Sequence, residues 1–86
     1  MLTDGALAHQ HTDWRMYLNN FLQARHGHTG RLSWSVTLSG PRNEPWWLAI
    51  VYFDGIEYGR GVGRNKGAAM ELAAEAAYRA LTSSNN

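Results

Sequence analysis

The sequence predicts an α+β fold in which one helix, three antiparallel strands and a second helix follow in the order αβββα. Three patterns predict it: an apolar stripe at helical spacing near the start, alternating apolar residues with a hairpin turn in the middle, and an alanine-rich run at the end. The 86 residues are enough for one small domain, and such a domain buries only about 60% of the surface that its unfolded chain exposes. A hydrophobic content of 44%, with four Trp and four Tyr, can nevertheless fill a core.

The first helix is predicted from Thr12 onward, because apolar side chains then recur at intervals of three and four residues. Thr12 or Asp13 is available as its N-cap, and Gly27 as its terminator. The apolar stripe, which we expect to face the core, consists of Trp14, Tyr17, Leu18, Phe21 and Leu22.

Three strands follow, and the middle one is apolar on both faces. Apolar residues at every second position of 34–38 predict a strand that is buried on one face. The run 46–53 consists of strand-forming residues and ends at Asp54-Gly55, a strong hairpin signal, so that 56–61 returns as the third strand. On the middle strand one face carries Trp47, Ala49, Val51 and Phe53, and the opposite face carries Trp46, Leu48, Ile50 and Tyr52.

The chain closes with an alanine-rich helix, for which Asn65 is the predicted N-cap. Its inward residues are predicted to be Ala69, Leu72, Ala73, Ala76 and Ala80. The glycines and cations of 59–67, just before it, raise the question of a phosphate cradle. Their spacing alone does not answer it, because Gly67 stands where a P-loop needs Ser or Thr after Lys66, and the chain is too short for a dinucleotide-binding fold.

Composition excludes several classes of protein. The chain has no cysteine, which excludes disulfides and thiolate metal sites and fits a reducing compartment, so we expect an intracellular location, cytoplasmic or nuclear. No apolar run approaches the roughly 20 residues of a membrane span, so no membrane partner is expected.

Residues 1–11 are predicted to be a flexible leader, 12–81 the folded domain and 82–86 a flexible tail.

Neither an enzyme nor a metal site is expected. The acidic side chains Asp54, Glu57, Glu71 and Glu75 fall on a turn, a short strand and a helix face, and they form no convergent catalytic set. The four histidines form two H-x-H pairs without a further ligand at fixed spacing, so we expect no metal and no cofactor. The net charge of only +1 lies far from the basic balance of strong nucleic-acid binders, although seven of the eight cations are Arg.

The order of elements and the segment 39–81 together resemble the double-stranded RNA-binding domain family, and the likeness covers 12–81. The matching residues are Ser39, Gly40, Pro41, Trp47, Val51, Gly55, Gly59, Gly61, Lys66, Ala69, Ala73 and Ala74. The resemblance implies two helices packed on one face of a three-stranded antiparallel sheet. One departure is that Trp34 lies five residues before Ser39, where the family has six, so either a bulge or a shifted register must absorb the difference.

The resemblance also implies that the chain binds double-stranded RNA by its A-form shape and phosphates, without strong sequence preference. The family uses its first helix, the loop between the first two strands and the N-terminus of its second helix. The residues implied here are Asn19, Asn20, Gln23, Arg42, Asn43, Arg60, Arg64, Asn65 and Lys66. Each of them also suits an ordinary solvated surface.

The family motif is altered at every one of the three surfaces. Asn20 replaces a glutamate, Asn43 replaces a histidine, and Gly67 and Met70 stand where two lysines are usual. Each lost phosphate contact lowers affinity and salt dependence, so the resemblance implies binding weaker than that of typical members, with Arg64 as a partial substitute.

The apolar outer face of the middle strand supports an alternative function. Trp46, Leu48, Ile50 and Tyr52 on the side away from the helices could expose an area of the size that marks an interface. Members of the family often associate through the sheet. The alternative is therefore a homodimer or a protein-interaction module in which RNA binding is reduced or lost, unless long side chains or the leader cover this face.

Overall fold

A computed structural model describes residues 13–27 and 31–83. They form helix α1 (Trp14–His26), strands β1 (Leu32–Ser39), β2 (Trp46–Phe53) and β3 (Ile56–Gly63), and helix α2 (Lys66–Ser83). The strands form one sheet in the order β1-β2-β3, with both pairs antiparallel. The predicted αβββα fold is therefore confirmed. The predicted leader, residues 1–11, lies outside the described residues, and α2 continues two residues into the predicted tail, as far as Ser83.

The two ends of α1 are closed in different ways. Gly27 adopts the left-handed conformation (φ 78°) and donates its N–H to the Gln23 carbonyl at 2.7 Å, as expected of a helix terminator. Asp13 occupies the N-cap position, but its side chain makes no capping hydrogen bond. Instead, Glu71 of α2 accepts the Trp14 N–H at 2.7 Å through Oε1. The acceptor at the start of α1 is thus supplied by the other helix.

The core lies between the two helices and the inner face of the sheet. Its buried residues are Leu18, Leu22, Ala49, Val51, Phe53, Ala69, Ala73, Ala74 and Ala77. The predicted inner faces of α1 and β2 are confirmed. In α2 the prediction was wrong at two positions, since Leu72 is 48% exposed and Ala80 is exposed, whereas Ala74 and Ala77 are buried. The reason is that α2 packs against α1 as well as against β3, which turns its buried face toward α1.

Glycines on the inner face of β3 bring α2 unusually close to the sheet. A Cβ atom added at Gly61 would lie 2.6 Å from both the Ala69 carbonyl oxygen and the Ala73 nitrogen. A Cβ at Gly59 would meet the same helix backbone at Ala73. The alternating glycines of β3 are therefore explained by helix packing, because only glycine leaves room for the helix backbone at this distance.

The β1–β2 pairing is regular, from Leu32 opposite Phe53 to Ser39 opposite Trp46. A bulge in the first strand, one of the two alternatives that the sequence left open, is therefore wrong. The irregularity lies between β2 and β3, where Tyr58 is the extra residue of the strand.

The predicted hairpin between β2 and β3 is confirmed. Asp54 (φ 57°) and Gly55 (φ 77°) both adopt positive φ, as a type I′ turn requires. Arg31 fastens this turn: its carbonyl accepts the Asp54 N–H at 3.1 Å, and its Nε lies 3.1 Å from Asp54 Oδ1. Arg31 thus stabilises the end of the sheet at which the β2–β3 hairpin lies. The predicted RNA-binding loop and the N-terminus of α2 lie at the opposite end of the sheet.

Candidate nucleic-acid interface

The exposed face of α1 carries a polar stripe. Asn19, Asn20 and Gln23 are all exposed, and their spacing places them on neighbouring positions of the helix surface. Met16, an apolar residue that is 51% exposed, lies on the same face of the helix. The three amides can each donate and accept hydrogen bonds, so this face can bind hydroxyls and base edges in a groove.

The β1–β2 connection presents its two predicted residues at the tip of a turn. The Glu44 N–H donates to the Pro41 carbonyl at 3.1 Å, which leaves Arg42 and Asn43 as the exposed central residues. A cleft of about 440 Å³ adjoins this turn. It is lined by Asn43, Glu44, Pro45, Trp46 and Arg64. The predicted loop residue Asn43 and the predicted cation Arg64 are therefore brought to one cleft.

The N-terminus of α2 is capped as predicted. Asn65 Oδ1 accepts the Ala68 N–H at 2.8 Å, and the amides of the first helical residues remain as helix-end donors. Lys66 lies over the ring of Trp47, with Nζ 5.1 Å from the ring centroid. This cation–π contact holds the ammonium beside the helix end. Arg64 and Lys66 thus flank the cap, as the sequence predicted.

Arg60 lies on the outer face of the sheet, opposite the face that packs against the two helices. It is paired in register with Ile50, whose side chain belongs to the outer face. Its guanidinium donates two hydrogen bonds to Glu57, at 2.8 and 2.9 Å. These bonds raise the pKa of Arg60 and lower the pKa of Glu57. The structure therefore does not bring Arg60 together with Arg64 and Lys66.

Arg15 reaches the N-terminus of α2, although sequence reasoning did not include it in the site. Its Nε donates to Glu71 Oε2 at 2.6 Å, across 56 residues of sequence. Its Nη1 lies 3.7 Å from Met70 Sδ, and its Nη2 lies 3.8 Å from the position of a Cβ atom at Gly67. A signal was present in the sequence, since Arg15 stands four residues before Asn19 and so continues the polar stripe of α1.

The four acidic residues that the sequence analysis considered do not converge. Each pairs with a different arginine: Asp54 with Arg31, Glu57 with Arg60, Glu71 with Arg15 and Glu75 with Arg79. Within residues 13–27 and 31–83, no group of three or more His, Cys, Asp or Glu side chains could hold a metal ion. His26 packs against Phe53, and the remaining histidines lie outside the described residues.

Neither described helix has the length and apolar character that crossing a membrane requires.

The outer face of the sheet is partly exposed. Trp46 is 37% exposed, and Leu48, Ile50 and Tyr52 are half-buried. Val62 of β3, which is paired with Leu48 and 49% exposed, extends this apolar face and was missed from the sequence. The signal for Val62 was its position between Gly61 and Gly63, which face α2 and so turn Val62 outward.

Comparison with known proteins identifies a matching family. A family model described as "Double-stranded RNA binding motif" matches residues 14–81. Similar curated proteins include Ribonuclease 3 of Mycobacterium bovis, which is 41% identical over 69 residues, and Ribonuclease 3 of Nocardia farcinica, 40% identical over 70 residues. Ribonuclease 3 of Mycolicibacterium paratuberculosis is 39% identical over 69 residues. These matches cover 80–81% of this chain and 28% of each relative, so the chain spans little more than a quarter of their length.

Proposed function

Because this chain belongs to the double-stranded RNA-binding motif family and is a double-stranded RNA-binding module, we propose that it binds A-form RNA through three surfaces. They are the polar stripe of α1, the β1–β2 turn and the N-terminus of α2. A-form RNA displays 2′-hydroxyls in its shallow minor groove, whereas side chains cannot read its deep major groove. The module therefore recognises shape and phosphate spacing without strong sequence preference.

The observation that best supports this proposal is the cleft shared by the β1–β2 turn and the short connection from β3 to α2. Asn43 from the turn and Arg64 from the connection line the same cleft, so one RNA strand can contact both. The capped helix end beside it offers backbone donors and a positive dipole end to a phosphate. Lys66, which lies over the ring of Trp47, adds a positive charge at this helix end.

The module is expected to bind more weakly than relatives with a full set of lysines. Gly67 and Met70 contribute no charge at the helix end, and Arg60 is occupied by Glu57 on the other face of the sheet. Since each neutralised phosphate contributes close to one unit to the log–log salt slope of a nucleic-acid complex, the loss of two cations lowers both slope and affinity.

The test is titration of an RNA duplex of about 20 base pairs, long enough for the roughly 16 base pairs that this fold spans. Binding is measured by fluorescence anisotropy at several salt concentrations, for the wild type and for Arg64→Ala/Lys66→Ala. We expect the double variant to bind at least about tenfold more weakly, with a salt slope shallower by roughly one to two units. The control is Arg31→Ala/Arg79→Ala, which removes the same charge from ion pairs elsewhere. Equal losses in the two double variants would contradict the proposed site.

The proposed activity is binding without cleavage. The name Ribonuclease 3 belongs to relatives of whose length this chain matches 28%. The separate pairing of Asp54, Glu57, Glu71 and Glu75 with four different arginines supports a non-catalytic role, because metal-dependent nuclease chemistry needs acidic groups that converge on metal ions. End-labelled duplex incubated with the protein and Mg²⁺ should stay intact, and release of shortened products would contradict this. The intracellular location stays a prediction from the cysteine-free composition.

A second proposed function is association of two copies through the outer face of the sheet. The exposure of Trp46 and Val62, together with Leu48, Ile50 and Tyr52, favours it, because no described helix packs on this face. Sedimentation velocity over a range of concentrations tests it, with Leu48→Asp/Val62→Asp as the disrupting variant. Wild-type protein that sediments as a monomer at every concentration would exclude this interface.

A further inference from the structure

We propose that Arg15 binds an RNA phosphate at the N-terminus of α2 and takes the place of one of the two lysines that the family has where this chain has Gly67 and Met70. The inference rests on the proposed use of this helix end by RNA. It adds a residue from α1 to a site that the sequence motif assigns to α2 alone.

The position of the guanidinium supports this assignment. Nη1 lies against Met70 Sδ at 3.7 Å, and Nη2 lies 3.8 Å from where a Cβ atom at Gly67 would stand. Arg15 therefore occupies the space beside both positions at which the family usually has lysine. Gly67 has no side chain, so the arginine head and the first amides of α2 are open to the same ligand.

The orientation of the Arg15–Glu71 ion pair also supports it. The Glu71 side chain is 10% exposed, whereas the Arg15 side chain is 42% exposed. Glu71 Oε1 accepts the Trp14 N–H at 2.7 Å, and Oε2 accepts Arg15 Nε at 2.6 Å. Both oxygens of the Glu71 carboxylate thus accept hydrogen bonds from residues at the start of α1. Glu71 therefore acts as a positioning residue for the guanidinium.

The two Nη groups supply the remaining donors of Arg15. Among the described residues neither of them donates to a carboxylate, and the Met70 thioether is only a weak acceptor. A guanidinium held at Nε presents its Nη donors in a fixed fork, which matches the geometry of phosphate oxygens. The ion pair therefore orders the arginine without using the donors that a phosphate would take.

The experiment compares Arg15→Gln, Arg15→Gln/Gly67→Lys and the control Arg79→Gln by duplex titration at several salt concentrations. Glutamine can still donate a hydrogen bond to Glu71, and Arg79 is likewise paired with a glutamate, Glu75. We expect Arg15→Gln to bind about three- to tenfold more weakly, with a salt slope shallower by roughly 0.5 to 1 unit. Gly67→Lys should restore the slope in that background, because it returns one cation to the same helix end. A merely structural role of Arg15 would lower the affinity of Arg15→Gln without making its salt slope shallower. Arg79→Gln should stay within about twofold of wild type.

Two outcomes separate the inference from the proposed function. A wild type that does not bind the duplex even at low salt overturns both. A wild type that binds, with Arg15→Gln and Arg79→Gln indistinguishable, overturns only the role of Arg15. Arg15→Gln alone leaves the buried Glu71 carboxylate without its partner. If circular dichroism shows that this variant is unfolded, Arg15→Gln/Glu71→Gln is compared with Glu71→Gln, because neither of these two variants contains a buried unpaired carboxylate. The same loss of affinity and slope is then expected, and its absence overturns the role of Arg15.

Discussion

Replacement of Gly61 by alanine is expected to destabilise the domain through a clash between β3 and α2. The new methyl carbon would lie 2.6 Å from the Ala69 carbonyl oxygen and from the Ala73 nitrogen, and 2.5 Å from Leu72 Cβ. Since non-bonded carbon atoms pack at roughly 3.5–4.0 Å, α2 must withdraw from the strand by about 1 Å. Two of the three obstructing atoms belong to the helix backbone, which cannot rotate aside as a side chain can.

The free energy of unfolding should therefore fall by about 2–3 kcal/mol, the upper part of the range for overpacked cores. A change of 1 kcal/mol corresponds to about 4–8 °C in the Tm of a domain this small, so we expect Tm to fall by roughly 10–20 °C. Urea denaturation followed by circular dichroism measures the free energy, and a thermal scan measures Tm.

Gly67→Ala is the matched control for this prediction. A Cβ atom at Gly67 would meet Asn65 Oδ1 at 3.4 Å and Arg15 Nη2 at 3.8 Å, both ordinary contacts. The same substitution should stabilise the domain there by up to about 1 kcal/mol, because alanine is the better helix former. Two variants that change stability in the same direction by similar amounts would refute the packing argument, since that result would reflect glycine itself and not its surroundings.

Three other substitutions or titrations test neighbouring contacts. Asn65→Ala removes the acceptor of the Ala68 N–H and should lower the free energy of unfolding in urea by about 1 kcal/mol, whereas Asn65→Asp, which keeps an acceptor, should cost less. Glu71→Ala removes the acceptor of the Trp14 N–H and the partner of Arg15, and it should lower the free energy of unfolding by about 2–4 kcal/mol. Glu71→Gln keeps an acceptor for the Trp14 N–H. If it is as unstable as Glu71→Ala, the loss of the acceptor is not the cause of the destabilisation. The hydrogen bond from Arg60 holds the pKa of Glu57 below its ordinary value, so the stabilisation from this pair is present above the unfolded-state pKa and is lost as the pH falls through the folded-state pKa. A carboxyl NMR titration should show that Arg60→Ala moves the Glu57 midpoint upward, and an unchanged midpoint would contradict the assignment of the cause.

Most of the fold could be predicted from the sequence because its signals are local. The apolar stripe of α1, the hairpin at Asp54-Gly55 and the cap at Asn65 each depend on residues within a few positions of one another. Prediction failed at two positions of α2, where the packing of distant elements decides which side of the helix is buried. Leu72 was placed inward because the alanine run of α2 is apolar on several sides, and only the position of α1 decides which side is buried.

The residues of the candidate site likewise fall into those that local signals predicted and those that they did not. The exposure of Asn19, Gln23 and Arg42 and the cap at Asn65 followed from helical spacing and turn chemistry. Arg60 was grouped with the cations of the helix end because it is near them in sequence. Alternation along β3 instead places it on the outer face, since the glycines beside it face α2.

The sequence by itself determined which segments become helices and strands, how the strands turn, and which family motif the chain carries, because periodicity, turn residues and motif spacing are properties of neighbouring residues. Only the tertiary structure decided which charged groups meet. Arg15 reaches the Gly67 end of α2 because α1 packs against α2, where Glu71 accepts its Nε–H. That contact joins residues 56 positions apart, and it depends on the distance between two packed helices, which no local pattern of residues specifies.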